Sequence, residues 1–245
     1  MKKVLITGAN KGIGFETARQ LLKNGYYVFI GSRNRENGEA AVEQLKSEGL
    51  VNAEAVHLDV TDPDSVQAAR TTIGNKTETL DILINNAGIN GGFPQAALAS
   101  SIEQYKKVFD TNLYGVVRVT QAFIDLLRQS IEPRIVNVSS SGSSLTLHSD
   151  PSWKYYSHKA ALYPSSKAAL NMYTINLAYE LRDTPFKVNA VCPGFIATDF
   201  NSHRGTGTVQ EGGARIAKYA MINNDGPTGH FIAEEYNPVT GETPW

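Results

Sequence analysis

The chain has 245 residues, 41% of them hydrophobic and 19% charged, a composition that fills a large core and excludes disorder as the main state. Its 23 Lys and Arg against 24 Asp and Glu leave a net charge of −1, so no bulk field draws it to nucleic acid or to an anionic membrane. The single cysteine, Cys192, excludes an intrachain disulfide and a Cys-x-x-Cys site, and five histidines without His-x-x-x-His spacing give no metal-ligand pattern, so no metal is expected.

In chain order, the first element is the apolar run at residues 4–6. It is far shorter than a signal-peptide core or a membrane span, and a soluble, cytoplasmic protein is expected. The run leads into Thr7-Gly8-Ala9-Asn10-Lys11-Gly12-Ile13-Gly14, ahead of a helical period over residues 13–23. Glycines here let the chain turn sharply and bring backbone N–H groups and the positive end of a helix close to a pyrophosphate. The spacing lacks the Gly-Lys-Ser/Thr of a P-loop, which removes the main motif for kinase or NTPase chemistry.

Residues 27–30 form the second apolar run, and Gly31-Ser32-Arg33 follows it. A site for an unphosphorylated ribose usually places an acidic residue about 20 positions beyond the glycines. Arg33 stands there instead. A guanidinium forms paired hydrogen bonds to a phosphate dianion, and Lys11 adds a second positive charge, so the pattern favours NADP over NAD. Further apolar runs at residues 55–58, 82–84, 135–138 and 188–191 alternate with helical periods such as 35–48 and 65–73. Thr61 or Asp62 can cap the second of these helices, with Pro63 in its first turn. Continuous apolar runs read as strands buried on both faces, and their alternation with helices implies right-handed crossovers. The expected fold is α/β: one Rossmann-type, doubly wound parallel sheet with helices on both faces, in a single domain over residues 1–245.

Two segments break the rhythm, residues 141–162 and 200–213. Both follow strands, at the end of the sheet where such folds bind ligands, and both are expected to be substrate loops. Trp153, Tyr155, Tyr156, Phe195 and Phe200 are candidates for an apolar or aromatic pocket wall, and equally for packing the loops onto the sheet. Between the two loops, Tyr163-Pro164-Ser165-Ser166-Lys167 opens a helix that reads as strongly amphipathic through Leu170, Tyr173, Leu177 and Leu181. Positions 163 and 167 share a face, and a cation within ~4–6 Å lowers a tyrosine from its usual ~10 by 1–3 units, toward use as a proton donor and acceptor. Tyr155 and Lys159 repeat the spacing, so spacing alone does not choose between the two pairs.

As a set, Thr7-Gly8-x-x-x-Gly12-x-Gly14, Asp59-Val60, Asn85-Asn86-Ala87-Gly88, Asn112, Val138-Ser139-Ser140, Tyr163-x-x-Ser166-Lys167 and Pro193-Gly194-x-x-x-Thr198 resemble the classical short-chain dehydrogenase/reductase family, across nearly the whole chain. Asn10-Lys11, Gly31-Ser32-Arg33 and Gly226-Pro227-Thr228-Gly229 look most like its carbonyl reductase branch. The resemblance implies NADPH-dependent reduction of an aldehyde or ketone, with NADP(H) as cofactor and a small carbonyl or alcohol as partner. It implies that Gly8, Asn10, Lys11, Gly12, Ile13 and Gly14 cradle the cofactor beside Arg33. Asp59 and Val60 would flank its adenine, Asn86, Ala87 and Gly88 would run along it, and Pro193, Gly194 and Thr198 would cover the nicotinamide side. Tyr163 would be the general acid. Lys167 would hold the nicotinamide ribose and lower the Tyr163 pKa, Ser140 would hold the substrate carbonyl, and Asn112 would bend its helix and anchor a proton-relaying water.

Ser140 and Tyr163 lie 23 positions apart, more than in most of the family, which implies an insertion of roughly ten residues. Related carbonyl reductases carry one there, where it can obstruct subunit packing, so a monomer and a small homo-oligomer both stay open. Two other functions compete. A non-catalytic NADP(H)-binding regulator often lacks the tyrosine or lysine, and a methyltransferase on a similar sheet needs neither and usually keeps an acid at position 33.

Overall fold

Each apolar run becomes a strand because both of its faces are covered. The computed structural model describes residues 1–245 and contains β1 (Lys3–Thr7), β2 (Tyr27–Ser32), β3 (Ala53–His57), β4 (Ile82–Asn85), β5 (Arg134–Val138), β6 (Lys187–Val191) and β7 (Phe231–Ile232). All pair in parallel, in the order β3-β2-β1-β4-β5-β6-β7. The strand order reverses between β1 and β4, so a crevice opens at their carboxyl ends, where doubly wound sheets take their ligands. Alternate residues feed separate cores. Val4, Ile6, Val28 and Ile30 pack with Leu21 and Ile216 on one face, and Leu5, Phe29 and Leu83 pack with Ile73 and Phe123 on the other. Burying each such side chain contributes about 1.5–3 kcal/mol, which is why short strands without surface alternation hold here.

The helices are α1 (Gly12–Lys23), α2 (Arg35–Ser47), α3 (Pro63–Gly74), α4 (Ile102–Phe109), α5 (Gly115–Leu127), α6 (Leu145–Ser149), α7 (Leu162–Glu180) and α8 (Val209–Ala220). Asp62 caps α3, accepting from the Asp64 amide at 2.9 Å, with Pro63 in the first turn. None of the helices is long and apolar enough to cross a membrane.

Three expectations change. The loop at 200–213 ends at Thr208, whose hydroxyl accepts from the Glu211 amide at 3.2 Å and starts α8. Gly212 and Gly213, loop-like in sequence, are helical because α8 lies close against α1. A Cβ on Gly213 would sit 2.5 Å from Glu16 Cγ, and one on Gly212 would sit 2.8 Å from Ile196 Cγ1. Gly213→Val is therefore expected to lower stability by about 1–3 kcal/mol, read as a fall in the denaturation midpoint. An unchanged midpoint would show that α1 and α8 part without cost.

The second change is in α7. Its buried line includes Ser166, Lys167, Asn171 and Thr174 as well as Leu162, Leu170 and Ala178, so the helix is not strongly amphipathic. Its polar side chains are held by the sheet and loops: Asn137 Nδ2 donates to Thr174 Oγ1 at 2.9 Å, Asn85 Nδ2 to Asn137 Oδ1 at 2.9 Å, and Ser139 Oγ to Asn171 Oδ1 at 2.6 Å. Buried polar groups that are satisfied in this way fix one helix position rather than a range. Third, Trp153 is 9% exposed, with ring centroids of His148 and Tyr155 at 5.1 and 5.5 Å. Of the two roles open to it, Trp153 takes packing: it is the small core of the insertion, behind the more exposed rings.

Candidate active site

The glycine turn leaves β1 with Gly8 at φ +63° and Gly12 at φ +59°, the left-handed region that glycine tolerates. At Gly12 an added Cβ would meet nothing nearer than Thr198 Cγ2 at 3.9 Å, so backbone here faces open space. The first turn of α1 has no side-chain cap, whereas α2, α3, α4 and α8 each have one. Its amides are free for an anion. Asn86 braces this turn from β4: its Nδ2 donates to the carbonyls of Thr7 and Gly8 at 2.9 and 3.0 Å, and the amides of Asn86 and Ala87 donate to Thr7 Oγ1. Gly14 must lack a side chain, because a Cβ would lie 2.8 Å from the Gly8 carbonyl and overlap Asn86 Nδ2. Asn10 and Ile13 are half-buried along the same turn.

Arg33 stands exposed just past β2, its carbonyl oxygen 3.1 Å from His57 Nε2 and its guanidinium unpaired. Lys11 is not free: its Nζ donates to Asp199 Oδ2 at 2.8 Å. Both partners are mostly exposed, so the pair is weak and exchangeable. Asp59 accepts from the Thr61 amide and hydroxyl at 2.9 and 2.7 Å, and Val60 is buried against Gly115. These groups could hold a phosphorylated dinucleotide: free amides, backbone space where a Cβ is absent, and an unpaired guanidinium one strand away.

At the other end of the crevice α7 brings Tyr163 and Lys167 beside the end of β5. Lys167 is buried, and its Nζ donates to the Val138 carbonyl at 2.8 Å and lies 5.9 Å from the Tyr163 ring centroid. Gly88 and Asn112 adjoin it, since a Cβ on Gly88 would be 3.6 Å from Lys167 Nζ and 3.4 Å from Asn112 Oδ1. Asn112 sits in a π-helical turn, Asp110–Tyr114, between α4 and α5. There it accepts from the Ile89 amide at 2.9 Å and donates to the Ile89 carbonyl and to Ser166 Oγ. The two serines after β5 part company: Ser139 is buried in the Asn171 network, while Ser140 is half-buried and close enough to Tyr163 to favour its ionised form. Pro193 is buried, Gly194 takes φ +95°, and Thr198 is half-buried on the same side.

The expected lowering of the Tyr163 pKa is reversed. Burial holds the phenol well above its usual value, with the Cys192 thiol adding to the rise and Ser140 opposing it. Lys167 does not reverse the rise, because burial lowers it to about 8 and it loses its charge before the phenol ionises. The sign for stability follows. Between about pH 8 and the ordinary lysine value of 10.5 the unfolded chain holds a proton that the folded chain has lost, so folding is favoured progressively as pH rises. Above about pH 10 Tyr163 acts in the opposite sense, because the folded chain keeps a proton that the unfolded chain releases. From neutral pH to about pH 9.5 the wild type is expected to gain about 2 kcal/mol relative to Lys167→Met, measured by chemical denaturation. Parallel profiles of the two proteins would contradict it.

The second Tyr-x-x-x-Lys pair points elsewhere. Tyr155 Oη donates to Glu235 Oε1 at 2.7 Å, and Lys159 Nζ donates to the His148 carbonyl and lies over the Tyr156 ring. Phe200 covers Tyr163, with ring centroids 5.3 Å apart, and its carbonyl accepts from Asn90 Nδ2. Sequence reasoning missed Asn90, Asn171 and Glu235; each is a single polar residue in an irregular or helical segment and carries no spacing signal.

A parallel sheet of this order, an uncapped glycine turn and a buried Tyr-x-x-x-Lys at the strand ends define a nucleotide-binding oxidoreductase of the short-chain type. The family described as short chain dehydrogenase matches residues 2–208, and the chain belongs to that family. Among curated relatives, (+)-neomenthol dehydrogenase of Capsicum annuum is 33% identical, over 93% of this chain and 94% of the relative. Among solved structures, salutaridine reductase from Papaver somniferum superposes with a TM-score of 0.82 at 31% identity, covering 94% of this chain and 99% of that one. NADPH-bound carbonyl reductase from chicken fatty liver gives a TM-score of 0.85 at 28% identity, covering 100% and 99%.

Proposed function

We propose that the protein reduces a ketone or aldehyde to an alcohol with NADPH, using Tyr163 as general acid. The observation that carries this reading is the convergence of Tyr163, Lys167 and Ser140 at the carboxyl ends of the strands, beside the braced glycine turn, while Tyr155 and Lys159 are occupied elsewhere. The free amides of α1, with Gly8, Gly12 and Gly14, would hold the pyrophosphate, and Arg33, joined by Lys11 on exchange from Asp199, would hold the ribose phosphate. Asp59 and Val60 would flank the adenine, with Asn86, Ala87 and Gly88 along the middle of the site and Pro193, Gly194 and Thr198 at its nicotinamide end. When bound, the reduced nicotinamide supplies the hydride.

Lys167, whose ammonium form still predominates at neutral pH, would hold the nicotinamide ribose and, once placed there, offset the burial that raises Tyr163. Tyr163 arrives protonated, which suits a donor to the carbonyl oxygen, and Ser140 would steady that oxygen as negative charge develops. Asn112 fixes the Ile89 and Ser166 positions around Lys167 and would anchor a relaying water. Phe195, Phe200 and Tyr155 favour an apolar, ring-bearing ketone, and the relatives named for neomenthol and salutaridine agree in kind. We place the protein in the cytoplasm, as a monomer or small homo-oligomer; its one thiol, Cys192, is free and buried, which suits a reducing compartment. The test is NADPH oxidation on adding a panel of cyclic and open-chain ketones. Ketone-dependent oxidation of NADPH well above that of NADH is expected. Tight NADPH binding without turnover on any ketone would favour the regulator.

A further inference from the structure

Glu235, just beyond β7, binds three groups from two separate segments, the substrate loop at 141–162 and the turn after Pro193-Gly194. Its Oε1 accepts from Tyr155 Oη at 2.7 Å and from Lys154 Nζ at 2.9 Å, and its Oε2 accepts from the Phe195 amide at 2.8 Å. The side chain is only 19% exposed, and these donors hold its carboxyl below the usual range against the upward pull of burial. Tyr155 and Lys154 belong to the insertion between Ser140 and Tyr163. Phe195 follows Pro193-Gly194, the turn at the nicotinamide end of the site. That turn is gripped from both sides: Arg215 Nη1 donates to the Pro193 carbonyl at 2.7 Å, and a Cβ on Gly194 would lie 3.1 Å from Glu235 Oε2.

The groups so joined form a continuous wall. Beside Ser140, a Cβ on Gly142 would be 3.4 Å from Ser140 Oγ and 3.8 Å from His148 Nε2. From there ring contacts run His148 to Trp153, Trp153 to Tyr155 and Tyr155 to Phe195, at 5.1, 5.5 and 6.1 Å. Trp153 is buried, whereas Tyr155 is half-buried and Phe195 is 39% exposed. Their common anchor is the carboxylate.

We propose that Glu235 is a positioning residue for substrate selection: by holding Tyr155 and the Phe195 backbone together, it sets the aromatic wall that favours ring-bearing ketones over small open-chain ones. The proposal rests on the reductase reading. A carboxylate is needed because it can accept from three donors at once, whereas an amide offers one acceptor oxygen.

The experiment compares kcat and KM for 2-tetralone and butan-2-one in the wild type, Glu235→Gln, Tyr155→Phe and the double variant, with NADPH affinity by fluorescence titration and melting temperature alongside. Glu235→Gln is expected to reduce the ratio of kcat/KM, tetralone over butanone, by about 10-fold, mainly through KM for the tetralone. Tyr155→Phe keeps the carboxylate and loses one bond, so it is expected to show a smaller loss in the same direction. The double variant should fall short of the sum, because both changes break one linkage. A ratio within twofold of the wild type, or an equal loss of kcat for both ketones with a lower melting temperature, would overturn the proposal and leave Glu235 a structural brace. Wild-type protein that oxidises NADPH with neither these nor any other ketone would overturn the reductase reading itself, a result distinguishable from an unchanged ratio.

Discussion

Tyr163→Phe is expected to lower kcat by about 10²–10⁴, the usual contribution of a positioned general acid, with NADPH binding kept within about twofold. The phenol oxygen is the only atom removed, and the ring that packs against Phe200 remains. In Tyr155→Phe the proton-transfer step should survive, because that hydroxyl is committed to Glu235 and its lysine neighbour to the His148 carbonyl. Steady-state kinetics on any reduced ketone separate the two. If Tyr155→Phe were the inactive variant and Tyr163→Phe the active one, the acid would lie in the insertion and not on α7.

Arg33→Asp is expected to cost about 2–4 kcal/mol in the preference for NADPH over NADH, which is roughly 30- to 1000-fold in the ratio of kcat/KM values. The size follows from replacing a charge-assisted pair with a like-charge contact, at a position where no neighbouring carboxylate already neutralises the guanidinium. Lys11 should contribute less, since Asp199 competes for its ammonium group in the free protein. Equal efficiency with both cofactors in the wild type would remove the ribose phosphate from this part of the site.

The parts legible in the sequence were those whose cause is local. Runs such as residues 82–84 announced buried strands because a parallel sheet leaves them no polar face, and Asp62-Pro63 marked a helix start through its own hydrogen bond and fixed φ. The glycines at 8, 12 and 14 were legible because only backbone geometry demands them.

What escaped depends on a partner distant in the chain. Gly212 and Gly213 read as loop until Ile196 and α1 lie against them, and the spacing on α7 gave no sign of Asn171 and Thr174, which are buried on partners at and just beyond β5. β7 has two residues and no period to detect, yet its Ile232 carbonyl accepts from the Cys192 amide at 2.7 Å and sets the turn that follows. The Tyr163 pKa went the other way for the same reason. Spacing placed a cation on its face, but spacing cannot report that both groups are buried, which raises the phenol and lowers the lysine.

The central claim is hydride transfer at the end of the crevice where Tyr163 and Lys167 meet, and its most direct test is isotopic. NADPH carrying deuterium at one face of the nicotinamide C4 should be turned over with each ketone that is reduced, and the alcohol analysed by mass spectrometry and NMR. Deuterium from one face only, on the former carbonyl carbon, is the expected result, and in Tyr163→Phe its rate of appearance should fall in step with kcat. Alcohol without deuterium from either face, or no alcohol while NADPH is bound and unchanged, would contradict the account.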